Sequence, residues 1–255
     1  MRITDHVEML ELETVLGDGP GRINPLFVWD NVDAILFDAG MPGMGEVMEE
    51  AAEAAHVPFH CLSKVLITHS DMDHIGSLSQ IARGGRNVTV FAHEEEKPYI
   101  ECDLLPIRVK QMEESAGRAG GEMRERMIRL METQKSTYRQ FRADVNTTVR
   151  DGDVLPFCGG ITCIHTPGHT FGHTSYYLNR LKLLVTGDIL QVTGGALTKC
   201  PDFTLVDKGV IRTSLKKLCK LDITAVVCYH GGLFEGDIIH RIEELARGYN
   251  EGNSE

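Results

Sequence analysis

The sequence predicts an α/β fold in which packed sheets are flanked by helices. Three observations predict it. Short runs rich in β-branched residues recur along the chain, amphipathic stretches of helical period interleave with them, and turn signals separate the two. Strand character falls on residues 32–38 (VDAILFD), 65–68 (VLIT), 88–92 (VTVFA), 160–165 (GITCIH), 175–178 (SYYL), 183–186 (LLVT) and 225–228 (AVVC). Helical character falls on residues 46–55, 75–83, 208–220 and 237–249. The turn signals are Asp38-Ala39-Gly40, Asp151-Gly152-Asp153 and residues 179–182.

With 255 residues, 42% hydrophobic and 25% charged, the chain matches one domain spanning 1–255. Seven scattered cysteines without a C-x-x-C pair suit reduced thiols in a cytoplasm better than a disulfide framework or a thiolate zinc site. The opening MRITDHVEML has no apolar core, so no secretory signal is expected. No uncharged apolar run reaches the roughly 18 residues of a membrane span. The net charge of −11 disfavours nucleic acid and leaves a small molecule as the expected partner.

Residues 107–142 break the alternation. They show no strand signal, and Met123, Met127, Leu130, Met131, Tyr138 and Phe141 fall at helical spacing. Nine basic residues face five glutamates there, so the segment carries +4 and the rest of the chain −15. Gly117, Gly120 and Gly121 divide it into two helices. Two readings stand: a hairpin whose Met/Leu stripe packs on the core, or an adaptable cationic lid over a site.

Five chemically dense pieces each follow an expected strand: His69-Ser-Asp71-Met-Asp73-His74, Thr166-Pro-Gly-His169, Thr186-Gly-Asp188, His230 in CYHGG, and Asp38-Ala-Gly40. Strand ends are where a layered α/β fold gathers side chains from distant parts of the chain. Four histidines and three aspartates converging there suit two divalent cations sharing an oxygen ligand.

In its order and spacing, this series resembles the metallo-β-lactamase superfamily. "THSDMDHIGS", "AHEEEKPYI" and "CYHGG" are most similar to a bacterial branch of uncharacterised hydrolases near the lactonase and glyoxalase-II-like members. The resemblance implies a four-layer αβ/βα sandwich with the metals at one edge of the two sheets, and makes 107–142 a helical insertion between ligand groups. It also implies that His69, Asp71 and His169 hold one metal, that Asp73, His74 and His230 hold the other, and that Asp188 bridges them.

Asp71 departs from the family pattern, which has histidine there. Five histidines and two aspartates around two dications and a hydroxide leave +1; four and three leave zero. The exchange favours iron or manganese more than usual over the zinc that is the family default. Alternatively, Asp71 lies outside the ligand shell and one site is weak.

The expected function is hydrolysis of a small carbonyl or ester-type substrate (lactone, thioester, phosphoester or amide) by a metal-bound hydroxide, with Asp73 passing the proton to the leaving group. The basic segment would favour an anionic or amphiphilic substrate. The alternatives are a diiron oxidoreductase served by a separate electron donor and a non-catalytic metal or ligand sensor. A secreted antibiotic-destroying lactamase is not expected.

Several residues carry two readings. His173 either contacts an oxyanion or orients His169, or is a surface loop residue. Tyr229 either reaches the substrate or belongs to the core. Asp38 is expected to bond its own turn and support the ligand loops. Asp73 doubles as a possible N-cap for the helix at 75–83. Glu94–Glu96 read as a solvated face, His93 as a turn, and His165 as a structural residue.

Overall fold

The computed structural model describes residues 1–16 and 19–249; the rest of the expected 1–255 domain lies outside the described residues. Seven strands form the first sheet, in the spatial order Arg2–Thr4, Val7–Met9, Leu26–Trp29, Ala34–Phe37, Lys64–Leu66, Thr89–His93 and Thr147–Val149. Six form the second: Val154–Leu155, Ile161–His165, Thr174–Leu178, Leu183–Val185, Ala225–Cys228 and Gly232–Phe234. Two hairpins lie apart from these sheets, Leu12–Leu16 with Gly19–Ile23 and Leu190–Thr193 with Ala196–Lys199.

Pleating assigns the faces. Ile35 and Phe37 point into the layer between the sheets, where Phe37 meets Tyr176 with ring centroids 5.5 Å apart. Their neighbours Ala34 and Leu36 point outward onto Met48, Ala52 and Ile81 from the covering helices. The second sheet divides the same way: Leu183, Val185 and Val227 face inward, and Leu184, Val226 and Cys228 pack outward on the Lys208–Leu218 and Ile238–Gly248 helices. The result is helix, sheet, sheet, helix, the αβ/βα sandwich.

Strand direction places the loops. Ala34–Phe37 and Lys64–Leu66 run parallel, as do Leu183–Val185 and Ala225–Cys228. Ile161–His165 is antiparallel to Thr174–Leu178, itself antiparallel to Leu183–Val185, so it shares their direction. All the ligand-bearing loops therefore leave carboxyl ends of strands. Tyr176 Oη donates to the Ile67 carbonyl at 2.8 Å and ties the sheets together beside that edge.

The helix expected at 75–83 is two, Met72–Ile75 and Leu78–Arg83. Gly76 lies so close to Pro42 that a Cβ would come within 2.3 Å of its nitrogen, and Ser77 Oγ donates to the Met41 carbonyl at 2.6 Å. The basic segment forms Ile107–Arg118 and Gly121–Thr137. Ile107, Val109 and Ala116 of the first helix are buried; the second buries no residue, and Met123 and Leu130 stay exposed. Of its stripe only Met127 and Met131 are half-buried, so the stripe does not pack on the core.

Candidate metal centre

Two groups of ligand-type side chains converge at the edge: Asp73, His74, Asp188 and His230, and His69, His169 and Asp188. Asp188 belongs to both. Its Oδ1 lies 3.3 Å from His74 Nε2, and its Oδ2 lies 3.2 Å from His230 Nε2 and 3.6 Å from His169 Nε2. Asp73 Oδ2 closes the first group at 3.2 Å from His230 Nε2. Asp71 Oδ2 lies 3.3 Å from His69 Nε2 and 3.0 Å from His169 Nε2.

The residues present fit divalent cations. His69 Nε2, His74 Nε2 and Asp188 Oδ1 are buried with no hydrogen-bond partner, although burying an unpaired polar atom is costly. Donor separations near 3.3 Å suit tetrahedral ligands about 2.0–2.1 Å from a shared ion. Nitrogen and carboxylate donors are the types that zinc, iron and manganese take.

The groups behind the donors fix their aim. Asp38 Oδ2 lies 2.9 Å from His74 Nδ1, and Asp38 also accepts from the Thr68 amide and hydroxyl, both at 2.8 Å. Its partners are thus on the ligand loop and not in its own turn. Thr68 Oγ1 lies 3.0 Å from His69 Nδ1. With Nδ1 engaged, each ring offers Nε2 to the centre. Asp188 is placed from below: its amide donates to His173 Nε2 at 3.1 Å, and His173 Nδ1 lies 2.9 Å from Thr166 Oγ1. His173 is therefore a buried residue and not a surface loop residue; it holds the Asp188 amide and meets the His169 ring edge-on, with centroids 6.0 Å apart. Gly187 permits the approach: its φ is +53°, and a Cβ would lie 2.7 Å from His173 Nε2.

Tyr229 is 3% exposed, stacks on His74 at 3.9 Å, and donates to the Asp73 carbonyl at 2.5 Å. It supports the ligand loop from the core side and does not line the cavity beside the donors. Asp73 is no N-cap, because it lies within the Met72–Ile75 helix with its carboxylate toward His230.

Two residues escaped the sequence reading. Glu96 is not part of a solvated face. It is fully buried, accepting from the Ser70 amide with Oε2 and the Gly172 amide with Oε1, each at 2.8 Å. It straps the first ligand loop to the loop after His169. Arg108, in the first turn of the Ile107–Arg118 helix, grips Asp71: Nε donates to Oδ1 at 2.9 Å and Oδ2 at 2.8 Å, and Nη2 donates to Oδ2. The same Nη2 lies 2.7 Å from His169 Nε2. The net basic charge of the segment was the only sequence signal for this contact.

A third cluster, His93, Glu95 and His165, shares no residue with these two groups and lies at the carboxyl ends of the Thr89–His93 and Ile161–His165 strands. His93 and His165 stack with centroids 4.2 Å apart and planes 13° apart, so His93 is more than a turn residue and His165 has a partner. His165 Nε2 bonds to the Phe171 carbonyl at 2.8 Å.

Charge is unevenly held. Burial pushes the Asp188 carboxyl up, but His230 and His74 together hold it well below the usual range. Burial likewise opposes ionisation of Asp71, and Arg108 with His169 and His69 more than offsets it. Burial lowers His230, yet Asp188 and Asp73 push it up to about 10. Burial beside His69 and His169 holds His173 well below its ordinary value, so it is neutral and free to accept. Asp71, Asp73, His169, Asp188 and His230 line a cavity of about 290 Å³ together with Leu190, Gln191, Cys200, Pro201 and Thr204.

A family model described as the metallo-beta-lactamase superfamily matches residues 18–230. The chain belongs to the metallo-β-lactamase superfamily. It has the metallo-β-lactamase fold, as does the metallo-beta-lactamase family protein TTHA1429 from Thermus thermophilus. That structure aligns with a TM-score of 0.72 at 19% identity, over 98% of this chain and 81% of its own. The "Probable metallo-hydrolase YflN" of Bacillus subtilis (strain 168) is 27% identical over 215 residues, 77% of this chain and 75% of that protein. The "Hydroxyacylglutathione hydrolase" of Buchnera aphidicola subsp. Schizaphis graminum (strain Sg) is 29% identical over 157 residues, 60% of this chain and 43% of that one. Within the metallo-β-lactamase superfamily, the chain is a hydrolase. Among the described residues, no helix is long and apolar enough to cross a membrane.

Proposed function

We propose that the protein hydrolyses a small carbonyl or ester-type substrate with two divalent cations, one held by His69, Asp71 and His169, the other by Asp73, His74 and His230, with Asp188 shared. One observation carries the reading: Asp188 lines a cavity, and its two oxygens face histidines of both groups. Bound there, the cations would supply Lewis acidity and a water acidic enough to ionise near neutral pH. Zinc is the family default, and Asp71 adds a hard donor that suits iron or manganese.

The remaining work falls to this chain's own side chains. Asp73 directs Oδ2 at His230 and lines the cavity, which leaves Oδ1 to accept a proton from water and return it to the leaving group. Asp38 and Thr68 hold the imidazoles in the productive tautomer, and His173 fixes Asp188 through its backbone. Leu190 and Pro201 add apolar surface to the cavity lining. We read the 107–142 segment as an insertion into a single domain, with a positive balance that favours an anionic substrate. Seven free thiols suit a reducing cytoplasm.

The test is turnover of a panel of hydroxyacyl-glutathione thioesters, lactones, aryl esters and phosphodiesters. The expected result is hydrolysis of at least one class, abolished by a chelator and restored by metal. No turnover, together with a visible iron absorption, would favour the oxidoreductase.

A further inference from the structure

We propose, resting on the two-cation reading above, that Arg108 is a built-in rival to the first metal. The second ligand group then fills first, and the first group fills only when the Ile107–Arg118 helix releases Asp71.

The argument is one of shared lone pairs. The guanidinium Nη2 donates to Asp71 Oδ2 and lies 2.7 Å from His169 Nε2, and those two acceptor atoms are 3.0 Å apart. They are also the atoms that would bind a cation beside His69 Nε2. A ring nitrogen has one lone pair in its plane, which serves either an N–H donor or a metal. Arg108 carries its charge at every accessible pH, so it cannot step aside by losing a proton. A guanidinium this close would also repel an arriving dication.

The side chain is built into this pose. Nη1 donates to Gln111 Oε1 at 2.6 Å and to the Thr204 carbonyl at 2.5 Å, and Gln111 Nε2 donates to the Leu205 carbonyl at 3.0 Å. All five N–H groups are thus aimed at acceptors, and the helix is anchored to the 204–205 loop at the cavity wall. Nothing equivalent touches the second group: Asp73, His74 and His230 have no guanidinium or ammonium within ion-pair distance among the described residues. Arg108 also supplies the positive charge that exchanging histidine for Asp71 removes. Because the two cations exclude each other, the coupling is reciprocal: a metal in the first group must loosen the insertion helix.

The experiment titrates metal-stripped full-length protein with Zn²⁺ against a chromophoric chelator, for wild type, Arg108→Ala and Gln111→Ala, each checked for native circular dichroism. In wild type, two dissociation constants separated by about a hundredfold are expected, within the usual range of site coupling. Arg108→Ala should tighten the weaker constant by about tenfold or more and leave the tighter one unchanged. Gln111→Ala, which keeps the charge but removes one tether, should tighten it less. Hydrogen exchange in residues 107–118 should rise with the second equivalent of metal in wild type. An unchanged or weakened second constant in Arg108→Ala would overturn the proposal and make Arg108 a residue that positions Asp71. Two equally tight sites in wild type would also overturn it and leave the hydrolase reading standing. Absence of turnover with the constants behaving as expected would do the reverse.

Discussion

Asp38 Oδ2 lies 2.9 Å from His74 Nδ1, and this buried contact decides which nitrogen of His74 faces the centre. Asp38 adopts φ +61° to make it, a conformation that aspartate tolerates better than most residues. Asp38→Asn removes the charge that favours an Nδ1–H donor. Metal affinity of the group containing His74 should fall about 10- to 100-fold, as for other carboxylate partners of ligating histidines. A competition titration measures it, and an unchanged affinity would remove Asp38 from the site's support.

Glu96 is a structural strap, so its loss should register in stability. Glu96→Ala leaves the Ser70 and Gly172 amides buried without acceptors. At about 1–3 kcal/mol for each of the two orphaned donors, a loss of roughly 2–6 kcal/mol is expected in urea unfolding of the metal-stripped protein. A change below about 0.5 kcal/mol would mean that water replaces the carboxylate.

Asp188 is the shared residue of the proposed centre. Asp188→Ala should empty both groups, whereas Asp71→Ala should empty mainly the one containing His69. Elemental analysis after gel filtration reads the difference. Equal loss from both groups in Asp71→Ala would contradict the assignment.

Protons and metal should compete strongly at His74 and His230. Burial lowers both, but Asp188 with the neighbouring aspartates raises His74 well above its ordinary value and brings His230 to about 10. Without metal, both rings carry a proton at pH 7. Their raised folded-state values stabilise the metal-stripped protein below about pH 6.5, an advantage lost as pH climbs towards 10. Metal affinity runs the other way and rises with pH over that window. About two protons should leave this group per cation bound at pH 7, measurable by calorimetry in buffers of different ionisation heat. No proton release would mean that the rings are already neutral.

The cysteines differ in reach. Burial pushes Cys158, Cys163 and Cys228 up to about 12, and Cys61 is exposed. In native protein at pH 8, a thiol reagent should modify Cys61 fast and leave those three unreacted until denaturation. Rapid labelling of Cys228 would mean that the outer helical layer opens readily.

The residues that converge at the edge were legible because each follows a strand with its own local pattern. His69, Asp73, His74, His169, Asp188 and His230 needed only local turns and a common strand direction to meet. Asp38 was legible as a support, but its partners were not, since Thr68 and His74 lie 30 and 36 residues away. Glu96 and Arg108 were illegible for the same reason, one hidden in an acidic run and the other in a basic segment. Strands such as Arg2–Thr4, Val7–Met9 and Gly232–Phe234 were missed because, at three residues with a charged residue or a glycine among them, they show neither a period nor the unbroken apolar run that marks the equally short Leu183–Val185. The split after Ile75 depends on Pro42, which no local rule brings near Gly76.

The division of the site between the sheets also has a consequence in time. His69 to His74 leave the ribosome early, whereas His169, Asp188 and His230 arrive with the second sheet, and the last of these comes near the end of the described chain. A nascent chain can therefore offer a cation only half a grip until its final strands have closed. Metal acquisition is then a late step in biogenesis, downstream of sheet pairing, and a captured ion cannot serve as the template on which the first half folds.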